Sequence, residues 1–223
     1  MNLLPRVKIC CISSPQEAQL AISMGAAALG LVGPMPSGPG VITDEQIAAI
    51  ARLVPPPVAT FLLTSETAAD QIIAHQQRVQ TNTVQIVDAL QTGDYGQIRA
   101  ALPGIRLVQV IHVSNEQSVA EALRIAPHVD ALLLDSGNPN LTIKELGGTG
   151  RVHDWALSRQ IRDQSPVPIF LAGGLRPDNV RQAIEAVQPF GLDLCSGVRT
   201  NGQLDPVKLA AFFKEIRGES VKE

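Results

Sequence analysis

The sequence predicts an α/β protein formed by a single (β/α)8 barrel (a TIM barrel) over residues 1–223. Short apolar runs recur at intervals of roughly 20 to 30 residues, and most segments between them carry a helical pattern. Eight strand candidates alternating with eight helices in a chain of this length are typical of that barrel. An open doubly wound sheet is the main alternative, but it usually has fewer strands and a G-x-G-x-x-G turn after the first, which is absent here.

The strand candidates are aliphatic, as expected for parallel strands covered by helices. Hydrophobic residues make up 45% of the chain and aromatic residues only 3%, so Val, Ile, Leu and Ala must form the core. The eight runs are residues 7–12, 27–32, 58–63, 84–87, 107–111, 131–134, 169–171 and 192–194.

Helix-start signals lie between these runs. Ser14-Pro15-Gln16-Glu17 has the pattern of a capping box with proline at the first helical position, and Gly25 is placed to end that helix. Further helices are predicted at 43–53, 65–76, 115–125, 155–163, 177–187 and 206–217. A weaker helix is predicted at 92–101, because Gly93 and Gly96 interrupt it.

Charge and cysteine content exclude several classes of protein. The net charge of −3 and the lack of a basic cluster argue against nucleic-acid binding. No apolar run approaches about 20 residues, so no membrane span is predicted. The N-terminus leads directly into a strand without a separate signal segment. Three cysteines, two of them adjacent, do not form a disulfide framework. We therefore expect a cytoplasmic protein with free thiols.

The histidines do not predict a metal site. No two of them have zinc-ligand spacing and no carboxylate cluster is present, so any chemistry is expected to need neither metal nor cofactor. His75 and His128 fall on polar helical positions and are expected to be solvated. His112, at the end of the fifth strand, either reaches the barrel mouth or packs. His153 is expected in a loop.

Asp135 is the candidate catalytic acid. It ends the sixth apolar run, and the polar loop that follows closes on Gly147-Gly148-Thr149-Gly150. Barrel enzymes carry their catalytic groups at such C-terminal strand ends. An isolated aspartate would more often be a helix cap, but two more glycine-bearing strand ends follow this one.

Cys10 is the candidate partner of Asp135. Strand alternation places Lys8 and Cys10 on one face and Ile9 and Cys11 on the other. A thiol and a carboxylic acid across the barrel mouth could take and give protons, with Lys8 stabilising the thiolate. The alternative is that Cys10 is a small buried hydrophobic residue, as most free cysteines are.

Two glycine turns predict a phosphate site. Gly173 and Gly174 follow the seventh strand, and Ser196 and Gly197 follow the eighth. In barrels these two loops commonly bind phosphate, because backbone N–H groups can approach the anion there. For either turn taken alone, the alternative is an ordinary loop that binds no ligand.

These motifs together resemble the phosphoribosylanthranilate isomerase family of tryptophan biosynthesis, from about residue 6 to residue 216. The resemblance rests on V-K-I-C at 7–10, L-D-S at 134–136, G-G-T-G at 147–150, L-A-G-G-L at 171–175 and S-G-V at 196–198. It implies that Cys10 is the general base, that Asp135 is the general acid, and that Lys8 and Gly148 support them. It also implies that the substrate phosphate lies at the glycine loops, Gly173, Gly174, Ser196 and Gly197.

The implied activity is a cofactor-free Amadori isomerisation of N-(5-phosphoribosyl)anthranilate. The expected partner is a small phosphosugar, with no nucleic acid and no membrane, and the expected assembly is a monomer or homodimer. Two alternatives remain open. One is a diverged paralogue that acts on another phosphosugar, and the other is a non-catalytic barrel that binds a phosphorylated metabolite. The intact pair of Cys10 and Asp135 favours an enzyme.

The chain departs from the family pattern at five places. Cys11 replaces a glycine, Val87 a histidine, Gln109 a lysine that is frequent there, and Arg199 a glutamate. Residues 36–40 lack the arginine that binds the anthranilate carboxylate in the family. Arg199 is the one obvious cation that could compensate for it. These changes put the identity of the substrate in question more than the fold.

Overall fold

The computed structural model describes residues 4–137, 150 and 152–218. Their eight parallel strands form a closed barrel in sequence order, which confirms the predicted fold. The strands are β1 (Arg6–Ile9), β2 (Ala28–Val32), β3 (Ala59–Thr64), β4 (Thr83–Ile86), β5 (Arg106–His112), β6 (Ala131–Asp135), β7 (Ile169–Leu171) and β8 (Gly191–Leu194).

Helices follow each strand on the outside of the barrel. They are α1 (Pro15–Met24), α2 (Asp44–Leu53), α3 (Ala69–Val79), α4 (Tyr95–Ala101), α5 (Glu116–Ile125), α6 (Trp155–Gln164), α7 (Val180–Val187) and α8 (Pro206–Arg217). A short antiparallel pair, β9 (Arg199–Thr200) and β10 (Gln203–Leu204), precedes α8. None of the described helices is long and apolar enough to cross a membrane.

The barrel closes through the pairing of β1 with β8. Their register aligns Lys8 with Asp193 and Ile9 with Leu194. The Cys10 amide continues the ladder by donating to the Leu194 carbonyl at 2.7 Å. The residues that follow β1 and β8 therefore emerge side by side at the C-terminal end of the barrel.

Apolar side chains form two layers, as the alternation along the strands predicts. One layer packs between the strands and the helices and includes Ile9, Leu29 and Leu62, all fully buried. The other fills the barrel interior, where Phe61 meets Phe170 edge-on with ring centroids 6.0 Å apart. These two rings thus pack within an interior that is otherwise mostly aliphatic.

Helix ends match the sequence signals in part. Ser14 caps α1 by accepting from the Glu17 amide, and Gly25 ends it with a left-handed φ of 108°. The Glu17 carboxylate, however, accepts from the amide of Ser13 instead of completing a capping box with Ser14. A complete box occurs at the start of α2, between Thr43 and Gln46.

Several predicted boundaries differ from the structure, and three of them have a local explanation. The first strand ends at Ile9 because the backbone turns sharply at position 11. The predicted 65–76 helix begins only at Ala69, where residue 68 forms a bridge with Thr92. The predicted 177–187 helix begins at Val180, because the side chain of Asn179 closes a turn on the Arg176 amide instead.

The expectation that His75 is solvated was wrong. Its ring is 2% exposed, with Nδ1 3.0 Å from Thr64 Oγ1 and Nε2 3.1 Å from Asp44 Oδ1. Because both ring nitrogens have partners, this polar side chain can face the barrel. His128 is exposed as predicted and stacks on Tyr95. His153 lies in a loop as predicted, where burial lowers its pKa to about 4.

The packing of His75 predicts that Gly33→Ala destabilises the protein. A methyl group at position 33 would lie 2.5 Å from His75 Cε1 and 3.2 Å from the Leu63 carbonyl oxygen. Both ring nitrogens are bonded, so the ring cannot turn away without losing a partner. We expect the free energy of unfolding to fall by about 1–3 kcal/mol in urea titrations.

Gly96→Ala is the matched control, because Gly96 is exposed on α4. That change is expected to be neutral or to stabilise by about 0.5–1 kcal/mol. An unchanged unfolding midpoint for Gly33→Ala would contradict the close packing of His75 against this glycine.

Candidate active site

One cavity opens at the C-terminal ends of the strands, where barrel enzymes act. Its volume, including its opening to solvent, is about 660 Å³. Six of the predicted site residues line it together, namely Cys10, Asp135, Gly173, Gly174, Ser196 and Gly197. Lys8 lies beneath the cavity, and Gly148 falls outside the described residues.

Lys8 is buried inside the barrel next to Cys10. Its ammonium group lies 2.9 Å from a carboxylate oxygen of Asp193, in an ion pair that lacks the alignment of a good hydrogen bond. Burial opposes the charged form, but Asp193 and then Cys10 outweigh it and raise the pKa of Lys8. A methyl group on Gly30 would lie 2.8 Å from Cys10 Sγ and 3.1 Å from Lys8 Nζ, so both atoms face one small space.

Asp135 ends β6 and is 8% exposed. Burial raises the pKa of its carboxyl group, although the Ser136 amide donates to Oδ1 at 2.7 Å and acts in the opposite direction. A raised pKa keeps the acid protonated to higher pH, which is what proton donation requires. Asp135 is therefore suited to act as a general acid.

His112 lies beside Asp135 in the β5–β6 register. Its Nε2 atom is 3.0 Å from the Val87 carbonyl oxygen, and since a carbonyl only accepts, Nε2 must carry the hydrogen. His112 is not among the residues that line the cavity. The sequence left open whether His112 reaches the barrel mouth or packs within the protein, and the structure favours packing.

The glycine loops after β7 and β8 approach each other closely. Gly173 and Gly174 have positive φ angles of 82° and 62°, and a side chain at Gly197 would collide with the Leu175 carbonyl oxygen. The Asn179 amide holds the first loop by donating to the Gly174 carbonyl at 2.9 Å. Both loops thus expose backbone to the cavity, as an anion site requires.

Cys11 does not share the outer face with Ile9, so that prediction was wrong. Its φ of 62° is left-handed, which turns the side chain into the barrel mouth. There its Sγ lies 2.7 Å from Sγ of Cys195. The glycine that the family carries at this position was the signal for a left-handed backbone, because glycine adopts it without strain.

Arg199 is engaged within the protein and is not available to bind a substrate carboxylate, contrary to the expectation from sequence. It is 8% exposed and forms an ion pair with Glu17 at 2.8 Å. The same guanidinium donates to the carbonyl oxygens of Cys10, Cys11 and Gly202. Arg199 therefore fixes the backbone that carries Cys10.

Glu17 completes this arrangement, and sequence reasoning did not find it. Its carboxylate accepts from Arg199, from the Leu204 amide at 2.8 Å and from the Ser13 amide at 3.0 Å. Burial opposes its charge, but these bonds outweigh it and lower the pKa of Glu17. The exchange of a family glutamate for Arg199 was the available signal, since a buried arginine needs an acidic partner.

Gln109 also has a structural role. Its amide nitrogen donates to the carbonyl oxygens of Ile86, Asp88 and Val110. Its oxygen accepts from the Tyr95 hydroxyl at 2.9 Å, and burial raises the pKa of Tyr95 to about 12, so this hydroxyl stays protonated. The amide thus joins β4 to β5 at a position where the family often has a cation.

The described lining of the cavity contains neither lysine nor arginine. In the part of the chain that the structure describes, no three His, Cys, Asp or Glu side chains are grouped to hold a metal ion. The lining combines a thiol, a carboxyl group whose pKa is raised by burial, and two glycine loops that expose backbone. It is suited to proton transfer on a phosphorylated substrate.

Comparisons with known proteins agree with this geometry. A family model described as N-(5'-phosphoribosyl)anthranilate isomerase matches residues 7–215. The protein of that name from Methanosarcina acetivorans is 34% identical over 95% of this chain and 93% of its own length. The one from Methanocella arvoryzae is 32% identical over 96% of this chain and 99% of its own length.

Solved structures give the same result. Phosphoribosyl anthranilate isomerase from Thermotoga maritima has a TM-score of 0.80 and 31% identity, over 96% of this chain and 99% of that one. A complex of such an isomerase with reduced 1-(o-carboxyphenylamino)-1-deoxyribulose 5-phosphate has a TM-score of 0.77 and 29% identity, with the same coverage. The chain belongs to the N-(5'-phosphoribosyl)anthranilate isomerase family.

Proposed function

We propose that this protein isomerises N-(5-phosphoribosyl)anthranilate in tryptophan biosynthesis, with Asp135 as general acid and Cys10 as general base. The observation that carries the proposal is a single cavity with these two groups on its walls and two backbone loops beside them. Family membership gives the class of reaction, an aldose–ketose isomerisation. The residue roles rest on the geometry of the site.

Asp135 acts first in this scheme. Its carboxyl group donates a proton to the ring oxygen of the phosphoribosyl furanose, and the ring opens to a protonated Schiff base. The carboxylate that remains accepts a hydrogen bond from the Ser136 amide, which stabilises its charge. Burial raises the pKa of Asp135, so its carboxyl group keeps the proton to higher pH than an ordinary carboxyl group does.

Cys10 acts second. Its thiolate removes the proton from the second sugar carbon, and the electrons move into the Schiff base to give an enolamine. Tautomerisation of the enolamine then gives the ketone, 1-(o-carboxyphenylamino)-1-deoxyribulose 5-phosphate. The Lys8 ammonium faces the same small space as Cys10 Sγ, so a positive charge lies close to the sulfur of the proposed base.

The substrate phosphate is proposed to bind at Gly173, Gly174, Ser196 and Gly197, which we call the phosphate loops. The left-handed glycines and the close approach of Gly197 to residue 175 leave backbone N–H groups accessible to an anion. Binding energy at this non-reacting end holds the sugar carbons between Asp135 and Cys10.

The anthranilate end of the site supports a second candidate, a diverged family member with another phosphosugar substrate. None of the described lining residues carries a positive charge to pair with the anthranilate carboxylate, and Arg199 is already paired with Glu17. Lys144 and Arg151 lie outside the described residues. The presence of both a candidate acid and a candidate base favours either enzyme over a non-catalytic binding barrel.

Removing either proton carrier is expected to abolish most turnover. Asp135→Asn and Cys10→Ser should each lower kcat by about 100- to 10,000-fold, the usual contribution of a general acid or base. Cys11→Gly restores the family residue at a left-handed position and is the control, with turnover retained. If Cys10→Ser combined with Cys11→Gly isomerised the substrate at the wild-type rate, Cys10 would not be the base.

The same variant has a pH signature in stability. The pKa of Asp135 is raised in the folded state, so the unfolded chain releases this proton at lower pH than the native protein. The contribution of Asp135 to stability therefore falls as pH rises above the ordinary carboxyl value of about 3.9. Asparagine does not titrate, so Asp135→Asn does not lose stability in this way as pH rises. At pH 7 it should unfold at a higher urea concentration than wild type. A lower midpoint would contradict the raised pKa.

Phosphate binding is expected to raise the melting temperature. A ligand bound only by the native state stabilises it by about 2.7 kcal/mol at a hundredfold excess over Kd. Gly174→Asp places a carboxylate at the phosphate loops and should abolish the shift. Gly202→Asp is the matched control, because Gly202 also has a positive φ but lies outside the cavity lining, and this variant should keep the shift. Equal shifts in both variants would place phosphate elsewhere.

Binding of the anthranilate moiety is expected to be weak. A carboxylate usually pairs with a bidentate arginine, and losing such a contact costs about 1.5–3 kcal/mol, roughly ten- to a hundredfold in affinity. Steady-state kinetics should therefore give a high KM for N-(5-phosphoribosyl)anthranilate, or no measurable saturation. A low-micromolar KM would show that another group binds the carboxylate, and would remove the case for a changed substrate.

A further inference from the structure

Two thiols that the proposed reaction does not use meet at the barrel mouth. Cys11 follows β1, Cys195 follows β8, and their Sγ atoms are 2.7 Å apart. That separation exceeds the S–S bond length of about 2.05 Å by only about 0.7 Å. Cys10, the candidate base, is the remaining cysteine of the chain.

The backbone on both sides holds these thiols in place. β1 and β8 are hydrogen-bonded up to the contact of the Cys10 amide with the Leu194 carbonyl. Arg199 binds the Cys11 carbonyl oxygen, and Cys195 leads directly into the short helical turn Ser196–Val198. A bond between the two sulfurs thus needs a small side-chain movement and no rearrangement of the barrel.

The pair also contains one thiol suited to react first. Cys195 is half-buried, whereas Cys11 is 5% exposed, so a small oxidant reaches Cys195 more easily. The hydrogen bond between Cys195 and Cys11, followed by the charge of Arg199, outweighs burial and lowers the pKa of Cys195. Thiolates are the form of cysteine that peroxides oxidise.

We propose that Cys11 and Cys195 are a reversible oxidation site that forms an intramolecular disulfide with a peroxide. The Cys195 thiolate attacks a peroxide oxygen, the O–O bond breaks, and a sulfenic acid forms with release of hydroxide, which leaves as water. Cys11 sulfur then attacks the sulfenic sulfur, the S–S bond forms and a second water leaves. Two thiols lose two electrons in total, and one hydrogen peroxide becomes two waters. A dithiol reductant reverses the bond.

The crosslink would join the end of β1 to the start of the phosphate loop after β8. Cys10 precedes Cys11 and Ser196 follows Cys195, so each sulfur is one residue from a group assigned to the reaction. The bond is therefore expected to lower isomerase activity until it is reduced. This effect on activity rests on the proposed function, whereas formation of the bond does not.

The test uses the whole chain, oxidised with hydrogen peroxide and then denatured for thiol counting and mass spectrometry. We expect the number of free thiols to fall from three to one, with the loss of two hydrogens in mass. Peptide mapping should join the segment containing Cys11 to the segment containing Cys195. The melting temperature should rise, because the bond connects residues 184 positions apart in the unfolded chain.

Three variants identify the partners. Cys11→Gly and Cys195→Ser should each lose the crosslink, while Cys10→Ser should keep it. The proposal is overturned if wild type retains three free thiols, if it gains only oxygen without a crosslink, or if the bond persists in Cys11→Gly. Activity is compared as the ratio of oxidised to reduced protein for wild type, Cys11→Gly and Cys195→Ser, and is expected to fall and recover only in wild type; Cys10→Ser, which lacks the proposed base, is used for the thiol count alone. Failure of the reduced protein to isomerise the substrate would reject the proposed function, and the thiol count would still decide the disulfide.

Discussion

The pairing of β1 with β8 is the contact on which the rest of this molecule depends. It closes the barrel, and its register places the buried ammonium of Lys8 against Asp193. Removing one partner of a buried ion pair costs about 3–5 kcal/mol, because the other charge is left without compensation. Cys10 continues the same ladder, so the strand pair that holds the fold together also positions the candidate base. The β1–β8 pair therefore contributes both to the stability of the barrel and to the position of the candidate base.

The Arg199–Glu17 ion pair extends that constraint beyond the barrel. Glu17 belongs to α1 and Arg199 to the segment after β8, and their contact holds the loop after β1 against the β9–β10 hairpin. The family resemblance makes Arg199 a departure, and the structure gives it a function within the protein. A change of charge at one position is thus balanced by a carboxylate at a distant one. The departures from the family pattern need not all concern the substrate.

Periodicity was enough to predict the barrel, since short aliphatic runs between amphipathic helices have few other solutions. Alternation and glycine turns were also enough to bring Cys10 and Asp135 to one cavity. The failed predictions for Cys11 and for His75 have different causes. Cys11 leaves the strand pattern through a single left-handed φ, which no periodicity encodes. The burial of His75 depends on two partners far away in sequence, Thr64 and Asp44, and such a match is visible only once the chain has folded.

The phosphate loops are built from main chain, and this has a consequence for how the protein can change. At Gly197 there is no room for any side chain, and the neighbouring loop is held through the carbonyl of Gly174. Side chains elsewhere in the mouth can therefore be exchanged without altering the backbone that is proposed to bind phosphate. The glycine loops can thus stay unchanged while substitutions in the rest of the pocket alter which aromatic or sugar group fits there. For the proposed phosphate site, this means that the substrate can change at its other end while the contact with phosphate stays the same.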